Sequence, residues 1–391
     1  MNQNGKLRII YPHHLKFLAR SAHEILVFKT CHALAKRGHE VHLLVGKASN
    51  NTNSMYDYYG TSPARTLQIH ELPILRMDGK LRVSWNRIFY HFCYRKIRAI
   101  QNHKNFDIIL LSEIKLAHFL HKKRLNSPYF YEIHGLYARN YKHPDSLEKQ
   151  VFNQCRALIT TTRTLKHKIK TLYPDHPAIY RVPLATEMGE TFPPYNPPQP
   201  GKSWRIVYTG RLYPLQGLQL AIEALPLLPD WIVLEIVGGR KQDQILSLKE
   251  LAERKDIAHR VTFHGFVKPS EVEHWTRNAD ILIAPCLAEG KMPYVAHTKI
   301  YEYLALGRPV IAADLPSIRE EIKDGINGIL FKAGNHESLA HAVMDVVSNR
   351  ELARNLAQNA WRYAQDFTWE KRAELLEECF YQVLGNRSYA V

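Results

Sequence analysis

Apolar residues fall along this chain in two successive series of short buried runs and amphipathic stretches. In the first series, Leu7 to Tyr11 reads as a strand, and Ile25, Leu26, Phe28, Cys31, Leu34 and Ala35 share one helical stripe between Glu24 and Lys36. Gly38 stops that helix, and Glu40 to Val45 returns as a strand. Strand, helix and strand in this order form a βαβ unit, which implies a parallel sheet with a right-handed crossover. Leu67 to Leu72, Asp107 to Leu111, Tyr129 to Ile133 and Ala157 to Thr161 read as further strands.

The second series is more regular. Arg205 to Tyr208 is a strand ending in Thr209, Gly210 and Arg211, and Leu218 to Leu225 is helical. Trp231 to Val237 is a strand ending in Gly238 and Gly239, followed by a helix from Leu246 to Arg254. Val261 to Phe263 leads to Gly265, a helix spans Ser270 to Asn278, and Ile281 to Ala284 is a strand. The stretch Ala296 to Asp314 then packs a helix, a stop and a buried strand together. Thr298 is placed to cap the helix, Ile300, Tyr301, Leu304 and Ala305 recur at helical spacing, and Gly307 and Pro309 end it before Val310 to Ala313. Helices at Glu337 to Ser348, Glu351 to Asp366 and Trp369 to about Leu384 close the chain. Gly189 to Ser203 holds five prolines and reads as a stiff connector without helix or strand. The expected organisation is a first α/β domain over 1–190, a linker over 191–203, a second α/β domain over 204–367, and a final helix, 368–391, crossing back to the first domain.

With 391 residues, 45% of them hydrophobic and 23% charged, the composition is that of a globular chain with two cores. No apolar run approaches the roughly 20 residues of a membrane span. The first residues lack the apolar core of a signal peptide, so a cytoplasmic location is expected. Five cysteines, odd in number, widely spaced and without a CxxC pair, argue against a disulfide framework and a zinc site. A net charge of +16 implies an anionic partner: nucleic acid, an anionic membrane surface or a phosphorylated small molecule. Between Lys80 and Lys104, Trp85, Ile88, Phe89, Phe92, Ile97 and Ile100 approximate one helical face while five basic residues crowd elsewhere. Such a helix either lies in the headgroup region of a membrane or packs on its own sheet with a solvated basic rim.

Two places carry candidate chemistry. Lys299 at a helix start suits a phosphate, and Glu302 one turn later suits the two hydroxyls of a ribose. The plain alternative is a surface ion pair at i,i+3. His134, followed by Gly135, stands at the carboxyl end of a strand, where open parallel sheets gather ligands. No recognition-helix, zinc or aromatic RNA-binding signature supports nucleic acid as the partner.

Several segments together resemble the retaining glycosyltransferases of family 4, which have the two-domain GT-B fold. These are TGRLYPLQG at 209–217, EIVGG at 235–239, VTFHGFV at 261–267, NADILIAP at 278–285, KIYEYLALGRPVIAAD at 299–314, NGILF and FTWEKRAELLEE. In the first half, HALAKRGHEV and the His134–Gly135 pair fit more thinly. The resemblance is to the branch that makes bacterial cell-surface polysaccharides. It implies two doubly wound Rossmann-like domains facing across a cleft and closing about the proline-rich hinge. The implied activity is transfer of a sugar, with retention, from a nucleotide diphosphate donor, UDP being expected, to a polysaccharide, lipid-linked or lipopolysaccharide acceptor at the inner face of the cell membrane. By the same resemblance Arg211 grips the diphosphate, the backbone near Thr298 and Lys299 caps it at a helix N-terminus, and Gly210, Gln216 and Gly238 are further donor-binding residues. Glu302 binds the ribose, and the backbone of Gly265, Phe266 and Val267 holds the base. His134 faces the donor sugar and Glu289 binds sugar hydroxyls. No metal and no cofactor beyond the nucleotide sugar is implied.

The chain departs from the family in three places. Gln216 stands where the family usually has lysine, and Lys299 is the expected compensation. Glu289 and Glu302 lie thirteen residues apart, wider than the common pattern. Arg20, Ser21, Ala22 and His23 replace a glycine-rich turn, which points that loop toward the acceptor. The rival expectations are an inactive sugar-binding or partner subunit of the same fold and a sugar-nucleotide epimerase.

Overall fold

The computed structural model describes residues 5–16, 22–47, 55–74, 85–125, 127–137, 141–267 and 269–385. The chain divides into two compact units, residues 1–184 with 369–391, and residues 185–368.

The first unit contains β1 (Arg8–Lys16), α1 (Ala22–Lys36), β2 (Glu40–Gly46), α2 (Met55–Tyr58), β3 (Leu67–Leu72), α3 (Trp85–Gln101), β4 (Ile108–Leu111), α4 (Ile114–Lys122), β5 (Tyr129–Ile133), α5 (Ser146–Phe152), β6 (Ala157–Thr160), α6 (Arg163–Leu172) and β7 (Ala178–Arg181). The second contains β8 (Trp204–Gly210), α7 (Leu218–Ala224), β9 (Ile232–Gly238), α8 (Gln242–Arg254), β10 (Val261–Gly265), α9 (Pro269–Arg277), β11 (Ile281–Ala284), α10 (Thr298–Ala305), β12 (Val310–Ala313), α11 (Pro316–Arg319), β13 (Ile329–Phe331), α12 (His336–Ser348) and α13 (Arg350–Ala364). The last helix, α14 (Trp369–Leu384), belongs to the first unit and packs on α1.

Both sheets are parallel and share one plan. The first runs β3-β2-β1-β4-β5-β6-β7 and the second β10-β9-β8-β11-β12-β13. The central strands are runs such as IILL (β4), ILIA (β11) and VIAA (β12), buried at every position because helices cover both faces. In each sheet the strand order reverses beside the first strand, between β1 and β4 and between β8 and β11. Open parallel sheets bind ligands at such a switch point, outside the strands' carboxyl ends.

Two expectations change. The proline-rich stretch has no helix or strand, but it is not a free connector: the crossing lies at 184/185, and the stretch packs on the second unit. The Tyr195 hydroxyl donates to the Asp280 carbonyl (3.0 Å), and Arg350 donates to the Pro197 carbonyl (2.9 Å). Helix α3, in turn, uses its apolar face on its own unit. Phe89, Tyr90, Cys93 and Ile97 are buried, while Arg87, Arg95 and Arg98 are exposed. Packing on its own unit is thus the alternative the burial of this face favours, and the basic rim is exposed; the Trp85 side chain lies outside the described residues. Among the described residues no helix is long and apolar enough to cross a membrane. All five cysteines are free and buried.

Candidate active site

In the second unit the crevice between β8 and β11 gathers most of the residues singled out in the sequence. Its floor is backbone. Gly238 has φ +132°, and a Cβ there would lie 1.9 Å from the Gly210 carbonyl oxygen; a Cβ on Gly217 would lie 1.8 Å from that of Pro285. Any side chain at these positions would force the carboxyl ends of neighbouring strands and loops apart.

The cations stand over this floor. Arg211, just past β8, is exposed, with its guanidinium 5.7 Å from the Tyr213 ring centroid. Lys299, in the first turn of α10, reaches back across the crevice. Its ammonium lies 3.8 Å above the Tyr208 ring and donates to Gln216 Oε1 at 2.9 Å. The Tyr208 hydroxyl is 2.6 Å from the Arg211 carbonyl and 3.2 Å from the same Gln216 oxygen. Burial lowers the Lys299 pKa to about 8, against the opposing pull of Cys286 and Glu302. Gln216 thus accepts from a lysine supplied by another helix, so the crevice holds two cations, Arg211 and Lys299, despite lacking lysine at 216.

The start of α10 differs from expectation. His297, not Thr298, is the N-cap residue, and no side chain caps the helix. The His297 imidazole turns inward instead, with Nε2 3.0 Å from the Met292 carbonyl and Nδ1 3.7 Å from Cys286 Sγ. Burial lowers its pKa to about 4, so the ring is neutral, with Nε2–H donating to Met292 and Nδ1 facing the thiol. The first-turn amides of α10 therefore lack a side-chain cap, as a helix end facing an anion requires. Glu302 is exposed one turn further on.

Gly265 ends β10 with φ +67°, and Phe266 beside it is 47% exposed, with the Arg240 guanidinium 4.5 Å from its ring centroid. Val267 is half-buried. Glu289 is exposed in the loop between β11 and α10, and its carbonyl accepts from the Met292 amide at 3.1 Å. No contact joins its carboxylate to Lys299 or Glu302 among the described residues.

In the first unit His134 follows β5 directly. Its ring centroid lies 4.7 Å from that of His23, which lies 4.8 Å from that of His13. The turn after it is held by side chains. The Leu136 amide donates to the Tyr141 hydroxyl at 2.8 Å, and the Tyr137 amide donates to Glu148, which also accepts from the Tyr173 hydroxyl. Of the four residues read as replacing a glycine-rich turn, Arg20 and Ser21 lie outside the described residues, and Ala22 and His23 open α1.

Sequence reasoning passed over Tyr208, His297, Glu132 and Arg372. The signals for the last two were present: an acid inside the strand YFYEI, and an arginine in the apolar stripe of Trp369, Ala373, Leu376 and Phe380.

Comparison with known proteins covers both units. The family model described as Glycosyltransferase Family 4 matches residues 23–186, and that described as Glycosyl transferases group 1 matches 195–362. A D-inositol 3-phosphate glycosyltransferase of Xylanimonas cellulosilytica is 25% identical over 256 residues, which is 61% of this chain and 60% of that protein. The Jonesia denitrificans protein of the same name is 28% identical over 246 residues, 58% of this chain and 57% of its own. The chain thus spans less than two thirds of the length of these curated relatives. Among solved structures, sucrose-phosphate synthase from Thermosynechococcus elongatus superposes with a TM-score of 0.75 at 16% identity, covering 97% of this chain and all of that one. Anabaena Alr3699/HepE in complex with UDP gives 0.71 at 14% identity, covering 96% and 100%. At such identities the structural likeness shows the fold.

Proposed function

We propose that this chain, which belongs to glycosyltransferase family 4 and has the GT-B fold, transfers a sugar with retention from a nucleotide diphosphate donor, UDP-linked, to a glycan or glycolipid acceptor. The observation that carries this reading is the convergence in one crevice of Arg211, the Lys299 ammonium, the uncapped start of α10 and Glu302.

As the bond between anomeric carbon and phosphate oxygen breaks, negative charge grows on the leaving diphosphate. Fixed cations and helix-end amides stabilise that charge more in the transition state than in the bound donor. Glu302 accepts from the ribose hydroxyls, the turn at Gly265 to Val267 takes the base, and Glu289 takes sugar hydroxyls. His134 acts on the donor sugar, and the sugar is transferred with retention at its anomeric carbon. A peripheral location at the inner membrane face is supported by the net charge of +16 and the exposed arginines of α3.

A thermal-shift screen against UDP, GDP, ADP and their common sugar conjugates tests this reading, since a ligand bound only by the folded state raises its stability. The expected result is a selective rise with UDP that Glu302→Ala removes. No rise with any nucleotide would contradict the proposal and favour an inactive subunit.

A further inference from the structure

Behind His134 lies a buried charge system that the proposed reaction does not yet use. Glu132, two residues earlier on β5, is 1% exposed, and its Oε1 lies 3.6 Å from His134 Nε2. The same oxygen receives Nη2 of Arg372 from α14, also 1% exposed, while Oε2 accepts from the Tyr11 hydroxyl of β1 at 3.3 Å. The rest of the Arg372 guanidinium is bonded as well: Nε to Thr30 Oγ1 of α1 at 3.0 Å, and Nη1 to the carbonyls of Val182 (3.2 Å) and Pro183 (2.6 Å). One side chain from the end of the chain therefore links α1, β5 and the segment after β7 directly beneath the imidazole.

Stability is a weak reason for this arrangement. Taking two charges out of water costs several kcal/mol each, and a buried ion pair is often replaceable by apolar residues of similar volume without loss. The position of the pair supplies a better reason. The carboxylate oxygen engaged by Arg372 is the one facing His134, and among the described residues the ring's titratable neighbours also include His23 of α1, with His13 of β1 behind it.

We propose that Arg372 is a positioning residue for His134: it fixes Glu132 beneath the imidazole and matches its charge, so that His134 stands as a neutral, oriented ring. A carboxylate left unmatched at this distance would pair with the imidazole and hold it as imidazolium. With Arg372 in place, burial and the guanidinium keep the ring's pKa below its ordinary value, against the pull of Glu132. With Nε2 turned to Glu132, a neutral ring leaves Nδ1 as an acceptor for a sugar hydroxyl; an imidazolium has only donors. The use of the ring in transfer rests on the functional reading above, but its charge state does not.

The test is an NMR titration of the His134 imidazole in the full chain, its signal assigned by loss in His134→Asn. In the wild type the midpoint is expected below about 6.5. Arg372→Met is expected to raise it by about one unit, and Glu132→Gln to lower it further. Opposite signs are the signature, because a merely structural pair would not produce them. The acid limb of kcat should follow the same order. Shifts of one sign in both variants, or none in either, overturn the proposal. Arg372→Met removes the fork that joins three segments; if it does not fold, Glu132→Gln decides alone, an unchanged or raised midpoint being contrary. A wild type without transferase activity would contradict the functional reading while leaving this titration readable.

Discussion

The two units use one sheet plan and fill its crevice differently. In the second, Gly210 and Gly238 bring backbone to the surface at the ends of the first two strands, leaving room above it for cations from the loop after β8 and from the start of α10. In the first, the corresponding region holds the imidazoles of His13, His23 and His134, with Glu132 and Arg372 beneath. The shared fold provides the opening, and the residues at the strand ends decide what enters. Glycine there admits a phosphate to hydrogen-bonding distance of main-chain amides, whereas histidine closes that approach and offers acid–base groups instead. Accordingly, the second unit is expected to govern donor affinity and the first to govern turnover.

The largest expected effect lies in the backbone of the second crevice. Gly238→Ala combines a positive φ with a collision against main chain, and it should destabilise the protein by about 3 kcal/mol or more in urea unfolding. Gly38 of the first unit also has positive φ, but a Cβ there meets only the flexible Lys6 side chain, at 3.4 Å. Gly38→Ala should therefore cost only about 1 kcal/mol. Equal losses would break the contrast.

Next in size is the exchange of Lys299 and Gln216. Lys299→Met should weaken UDP binding by about 10- to 100-fold, the range of a hydrogen bond to a charged group, while leaving uridine binding unchanged. Gln216→Lys alone should weaken it as well, because the new ammonium would crowd the one already present. Combined with Lys299→Gln, the same substitution should recover most of the affinity, since one cation again occupies the spot. Tighter binding by Gln216→Lys alone would show that the place is vacant in the wild type.

The smallest effect is one of pH. The Lys299 pKa of about 8 means that its ammonium is lost as pH rises through that value, so UDP affinity should fall above pH 8 by at most about tenfold per unit. The donor-free protein should show the reverse trend. Between about 8 and the ordinary lysine value of 10.5 the unfolded chain binds more protons than the folded one, so this residue's contribution to stability rises with pH. Both trends should vanish in Lys299→Met. An unchanged affinity profile in that variant would place the titration elsewhere.

Much of the second unit was legible because each of its longer strands and helices carries its own period and its own stop. Strand β12 has the bounds read from the pattern, and so does helix α14 of the first unit. Strand β13, three residues and half exposed, gave too little signal to stand out from a loop. In the first unit α4, α5, α6 and β7 went unread. Helix α4 is capped by Glu113, which accepts from the Lys115 amide at 3.2 Å but is not among the favoured capping residues. For α5 and α6 ordinary signals existed: Asp145 with Glu148 three residues later, and Thr162, both bonded to first-turn amides. The candidate site was legible where function sits on local motifs, as at Arg211 and Glu302. It was illegible where partners meet through the fold without a motif to point to them, as Arg372 meets Glu132 across 240 residues.

The most direct test of the division between the two units is calorimetric titration of UDP into the wild type, Glu302→Ala and His134→Ala, with turnover measured on the same preparations. Glu302→Ala should weaken UDP by about 100-fold, the loss expected for two hydrogen bonds to a carboxylate. His134→Ala should bind UDP as the wild type does while turnover falls by about 10²- to 10⁴-fold. Loss of UDP binding in His134→Ala, or unchanged binding in Glu302→Ala, would contradict the assignment of the donor to the second unit's crevice.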